Sequence, residues 1–141
     1  MLKLQMQPNG TTCGQTVVAM VTGIPVEESI AHFGHNKGTN FKEQTKILNK
    51  LGMVVGEYKR IDNRKKWEFD LPNMACVRLQ PNKRQTGHII AYQNGIFYDP
   101  LVTRPFYSKQ EVLDHYNRNK HSGIKWRFSH YYEVSEPNVT K

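Results

Sequence analysis

Apolar residues follow a helical rhythm in the first third of the chain and a strand rhythm in the rest. Val17 to Val21 are apolar without a break. A helix apolar on every side is a buried helix. It opens near Cys13, where the hydroxyls of Thr11 and Thr12 can accept from first-turn amides. Thr22-Gly23 closes it, because glycine takes the left-handed conformation at low cost. Pro25 begins a second short helix over Val26–Phe33. Glu27 and Glu28 oppose the positive end of its dipole, and Gly34 ends it. Thr39 or Asn40 caps a third helix, Phe41–Leu51, with Phe41, Ile47, Leu48 and Leu51 on one face and Gly52 as terminator.

The period then changes. Met53 to Tyr58 has strand composition, Lys59 to Lys66 reads as a polar loop, and Met74 to Gln80 alternates as a strand does. Pro81 to Thr86 is a polar turn. His88 to Tyr92 and Ile96 to Tyr98 flank Gln93-Asn94-Gly95, and two strand-like runs about Asn-Gly predict a tight hairpin. Ser108 and Glu111 form a capping-box pattern that opens a helix over Lys109–Tyr116. Ile124, Trp126, Phe128, His130 and Tyr132 alternate with polar partners, the period of a half-buried strand. Helices first and antiparallel strands afterwards predict an α+β fold. One domain over residues 1–141 is expected, with a flexible tail from 135 to 141.

Composition narrows the class. The chain has 141 residues, 38% hydrophobic and 11% aromatic, enough for one modest core. No apolar run reaches the ~18 residues of a membrane helix, and Met1 to Gly10 lacks the apolar segment of a secretory signal. The expectation is a soluble, cytoplasmic protein without a membrane partner. Cys13 and Cys76, the two cysteines, are then expected as free thiols. His32 and His35 have helix-like spacing, but no further ligand stands close enough for a metal signature; no metal and no cofactor are expected.

The net charge is +8. It favours acidic partners without fixing a fold. Lys59, Arg60, Arg64, Lys65 and Lys66 form one basic cluster, and Lys83-Arg84 and Arg118-Asn119-Lys120 form others. Tyr58, Trp67 and Trp126 lie nearby, and stacking plus charge is how single strands are held. No nucleic-acid motif accompanies them, so nucleic acid ranks no higher than an acidic protein or a phosphorylated small molecule as partner.

Chemistry enters at Cys13. A thiol is a nucleophile as its thiolate, and a helix start stabilises that anion. Gly14 leaves the neighbouring backbone uncrowded for an approaching substrate. Gln7, six positions upstream, carries an amide able to donate to an oxyanion. His88 is the base that could serve Cys13. If Asn94-Gly95 are the loop of a type I′ turn, Gln93 faces Ile96, Tyr92 faces Phe97 and Ala91 faces Tyr98. His88 and Asp99 then share a sheet face as diagonal neighbours. An Asp there fixes one imidazole nitrogen and leaves the other for the thiol. A one-residue slip would break this. Asp99-Pro100 also reads simply as the start of a turn.

The ordered set Gln7, Cys13-Gly14, Gly87-His88-Ile89-Ile90 and Asp99-Pro100 resembles the C39-like peptidases of the papain-like cysteine peptidase superfamily. The resemblance covers roughly residues 5 to 102. It departs at Thr12, where the family often has Asp, and in a shorter His-to-Asp interval. It implies a papain-like fold, with Cys13 as nucleophile, His88 as base and acid, Asp99 as orienter and Gln7 as oxyanion donor. The implied activity is cleavage of a peptide or protein substrate through an acyl-enzyme. Transglutaminase-like transfer or deamidation on the same residues is one alternative. A non-enzymatic binding or inhibitor protein is another.

Overall fold

The first helix sets the architecture, because it has no face to give to water. In the computed structural model, which describes residues 2–62, 69–83, 86–119 and 121–137, α1 spans Cys13–Thr22 and every residue from Gly14 to Val21 is buried. Gly23 ends it at φ 79°, its amide donating to the Ala19 carbonyl. The N-terminus departs from expectation. Neither Thr11 nor Thr12 caps it through a side chain: the Thr11 hydroxyl donates to the Asn36 carbonyl and the Thr12 hydroxyl to the Asn9 carbonyl. Both hydroxyls serve neighbouring loops, which leaves the first-turn amides of α1 unclaimed by a cap.

Helix α2 is Val26–Phe33, ended by Gly34 at φ 78°. Helix α3 is Phe41–Lys50, capped by Asn40, whose side chain accepts from the Glu43 amide. Thr39 accepts instead from the Gln44 side chain at 2.9 Å. Gln44 in turn accepts from the Tyr132 hydroxyl at 2.7 Å, so a buried polar chain ties α3 to the sheet beneath α1.

The strands are β1 Val54–Val55, β2 Lys59–Arg60, β3 Met74–Pro81, β4 His88–Gln93, β5 Ile96–Tyr98 and β6 Trp126–Ser135, with α4, Lys109–Tyr116, between β5 and β6. The sheet runs β1-β6-β3-β4-β5, β2 pairs with β6, and all the pairings are antiparallel. Three expectations change. The strand over Met53–Tyr58 shortens to Val54–Val55. Lys59 and Arg60 belong to a strand rather than a loop, because β6 offers an unpaired edge opposite Tyr131 and His130. Arg64, Lys65, Lys66, Trp67, Arg84 and Lys120 lie outside the described residues, as do 138–141 of the expected tail; Ser135 pairs with Val54.

The third change is in β6. Arg78 pairs with His130, but Leu79 pairs with Phe128, which leaves Ser129 as an extra residue. A bulge of this kind shifts the alternation by one. Phe128 therefore packs with Ala75, Val77, Leu79, Ile90, Phe97, Phe106 and α4, while Tyr132 and Val134 pack with Cys76, Ile89, Ala91 and α1 to α3. Plain alternation would put Phe128 and Tyr132 on one face. The bulge gives each core one of these rings.

The α4 cap forms on one side as expected: Ser108 accepts from the Glu111 amide. The Glu111 carboxylate accepts from the Tyr107 amide rather than that of Ser108, one residue further out.

Gly14 has a role other than substrate access. It is buried, and a Cβ built there would lie 1.8 Å from the Thr39 hydroxyl and 3.0 Å from the Gln44 amide nitrogen. The glycine lets the α3 entry close against α1. Gly14→Ala should therefore destabilise the protein by about 1–3 kcal/mol, although alanine is the better helix former. Thr39→Gly in the same chain should recover part of the loss. Urea unfolding midpoints measure both, and a neutral Gly14→Ala would remove this explanation.

Candidate active site

The hairpin forms in the expected register. Gln93 faces Ile96, Tyr92 faces Phe97 and Ala91 faces Tyr98. Asn94 and Gly95 have φ of 50° and 89°, positive at both positions as a type I′ turn demands. Beyond Tyr98 the chain leaves the ladder. Proline cannot donate to it, and the Val102 amide closes a turn on the Asp99 carbonyl at 3.1 Å.

Asp99 starts that turn and also holds His88. Its Oδ1 accepts from His88 Nε2 at 2.8 Å and from the Leu101 amide at 2.9 Å, and its Oδ2 accepts from the Tyr116 hydroxyl. Asp99 is fully buried and His88 is 7% exposed. Burial opposes a charge on Asp99, but the His88, Tyr116 and Leu101 donors hold its pKa below the ordinary carboxylate value. An ionised carboxylate only accepts, so Nε2 carries the proton and Nδ1 is turned to other partners.

That partner is Cys13. The half-buried thiol hydrogen-bonds the His88 side chain and receives the amides of Ile89 and Gly14. Burial alone would raise its pKa; the hydrogen bond to His88, its charge and the two amides lower it on balance. His88 mirrors this. Burial would lower its pKa, yet Asp99 and Cys13 raise it to about 9. The two shifts run in opposite directions, so each group favours the charged form of the other. Cys76 is the contrast: it is 1% exposed, and burial outweighs its hydrogen bond with Tyr132, so its pKa is pushed up to about 12.

Gly87 is a packing glycine. A Cβ there would meet the Arg78 guanidinium at 2.9 Å and the Leu79 carbonyl at 3.0 Å, so His88 enters β4 beneath an arginine.

Gln7 lies at the same end of the molecule. Its backbone amide donates to the Pro100 carbonyl at 2.9 Å, next to Asp99. Its Nε2 donates to the Asn9 carbonyl at 2.7 Å and keeps a second hydrogen. Its Oε1 is buried without a partner among the described residues. Met6 and Leu101, 40% and 53% exposed, flank this backbone bond.

Tyr116 is the residue that sequence reasoning missed. It sits at the end of α4, and its ring lies 5.8 Å from that of His88. No local pattern announces it; only the return of α4 to the sheet brings it to Asp99. His35, considered for its spacing to His32, is hydrogen-bonded through Nε2 to the Glu43 carboxylate.

No family model matches the chain, and no curated protein matches it in sequence. Solved structures do match. One is the peptidase domain of Streptococcus ComA, a bi-functional ABC transporter involved in a quorum-sensing pathway: 20% identity, TM-score 0.63, covering 96% of this chain and 98% of that one. Another is a double glycine motif protease from an AMS/PCAT transporter in complex with the leader peptide: 18% identity, TM-score 0.61, covering 97% and 93%. The likeness runs nearly end to end in both directions, and this chain has the papain-like fold of the C39 peptidase domains.

Proposed function

We propose that the protein is a cysteine peptidase that cleaves a peptide bond through a Cys13 acyl-enzyme. The observation that carries this reading is the continuous chain from the Cys13 thiol through the His88 imidazole to the buried Asp99 carboxylate. The peptidase domains that share the fold support it, and the leader peptide bound by one of them suits a peptide substrate here. The free thiols suit a reducing compartment, and we propose a cytoplasmic location.

In this mechanism the Cys13 thiolate attacks the scissile carbonyl carbon. The oxyanion is met by the Cys13 backbone N–H, which in the first turn of α1 has no intrahelical acceptor, and by the second Gln7 amide hydrogen. His88 gives its Nδ1 proton to the leaving amine, and the acyl group stays on sulfur. His88 then takes a proton from water, whose oxygen attacks the thioester carbonyl, and returns that proton to the departing thiolate. Asp99 keeps the ring in one tautomer and balances the imidazolium charge.

Iodoacetamide at pH 7 should label Cys13 and leave Cys76 unmodified. Cys13→Ala and His88→Ala should each abolish peptide cleavage, with cut sites read by mass spectrometry. An inert Cys13, reacting no faster than Cys76, would favour a binding protein instead. Trapping the Cys13 adduct with an added amine would separate hydrolysis from transfer.

The rate should depend on pH with two limbs. It rises as Cys13 loses its proton, below the ordinary thiol range, and falls as His88 loses its own near pH 9. Asp99→Asn removes the charge that lifts His88, so the alkaline limb should move to lower pH. The same variant should lose about a hundredfold or more in kcat, the scale of a misplaced acid–base group. An alkaline limb that stays put would sink the assignment of Asp99.

A further inference from the structure

The sheet register places Ile89, Arg78, His130 and Arg60 opposite one another on β4, β3, β6 and β2. Directly opposed residues share a face and form a row across the strands. The Ile89 amide is the one that contacts the Cys13 sulfur, so the row begins at the thiol. With strands about 4.8 Å apart, it runs about 14 Å to Arg60. Arg127, opposite Gln80, stands on the same face one step along. The outer part opens into a cavity of about 770 Å³ lined by Arg60, Asp62, Gln80, Arg127, Ser129 and His130.

The charge there is one-sided. Among the described residues Arg60, Arg78 and Arg127 make no ion pair, and the one lining carboxylate, Asp62, already has a partner. His130 is stacked on Tyr58 at 4.6 Å, which is stacked on Phe41 at 4.6 Å, and its Nδ1 is buried without a hydrogen-bond partner among the described residues. Burial and then Arg78, Arg60 and Arg127 lower the His130 pKa, as a positive local potential does. Like charges gathered in a concave site attract an anion.

We propose that this row is a specificity site for an acidic side chain of the peptide substrate. The inference rests on the peptidase reading and names its substrate class. A carboxylate on a peptide fits better than a free phosphate or a nucleic acid, because the row starts at the residue whose amide contacts the thiol. One extended chain lies on both, with its acyl carbon at Cys13 and its acid among Arg78, Arg127 and Arg60. At about 3.3 Å per residue, the 14 Å row is about four residues long. The acid therefore stands about four positions from the bond cleaved.

The test is cleavage of a proteome-derived peptide library by the full chain, with sites read by mass spectrometry. Asp and Glu should be enriched about three- to tenfold at the third to fifth position on one side of the cut, the scale of one or two partly exposed ion pairs. Arg60→Glu/Arg127→Glu should replace that preference with one for Lys and Arg. Cleavage without acidic enrichment, or enrichment that survives the charge reversal, overturns the proposal. Binding of a fluorescent hexaglutamate peptide to Cys13→Ala gives a readout independent of turnover. Salt-sensitive binding lost in the charge-reversed variant supports the site even if the library is uncut, in which case the peptidase reading alone fails. Absent binding together with an uncut library overturns both, and tight binding of single-stranded DNA or polyphosphate in place of hexaglutamate overturns the acidic-peptide site.

Discussion

The hydrogen bond between His88 Nε2 and Asp99 Oδ1 depends on the register of one hairpin, and the ionisation of His88 and Cys13 depends on that bond. Side chains alternate across a strand, so a slip of one residue would turn either group to the wrong face. Asn94 and Gly95 prevent the slip by accepting positive φ at both turn positions. The bond then works on groups it does not contain. It lifts the His88 pKa, and the lifted imidazolium lowers that of Cys13. A carboxylate buried without donors would be neutral; Asp99 stays charged because Tyr116 and Leu101 also donate to it.

Helix α1 brings the Cys13 thiol to that pair. Its body is held by apolar contact on all sides, and the close approach of Thr39 and Gln44 to Gly14 fixes its first turn. The polar chain from Thr39 through Gln44 to Tyr132 continues to Cys76, so both cysteines belong to connected structure but with opposite consequences. Cys76 meets a neutral phenol in a dry core, and its thiol holds its proton. Cys13 meets an imidazole whose pKa is raised and two amides at a half-buried helix start, and its thiol loses its proton more readily than an ordinary one. Residue type sets neither behaviour; the sign and number of nearby donors do.

The features legible in the sequence are those decided by near neighbours. The helices over Val26–Phe33 and Lys109–Tyr116, the left-handed glycines at 23 and 34 and the hairpin register each follow from a few consecutive residues. What was not legible depends on residues far apart. The Ser129 bulge exists because β6 must serve two cores, and nothing near Ser129 says so. Lys59 and Arg60 read as loop because their partners lie some seventy residues on, at Tyr131 and His130. Thr12 reads as a cap until the Asn9 turn claims its hydroxyl. Tyr116 reaches Asp99 only through the packing of α4 on the sheet.

The same bulge links the site to the basic surface. By displacing the alternation at Ser129, it turns Phe128 away from the face of the sheet that carries α1, on which His130 stands opposite Arg78. Without the bulge that face would continue from Tyr132 through His130 to Phe128, and an apolar ring would stand opposite Gln80, where Arg127 now lines the cavity. The one irregularity in the longest strand thus does two things. It supplies the second core with Phe128, and it keeps the sheet surface beyond the thiol polar and cationic. A row that starts beside the Cys13 thiol and leads to three arginines without an ion pair among the described residues is electrostatically directional. A peptide lying along it gains attraction for an acid at one end while its amide carbon meets the sulfur at the other.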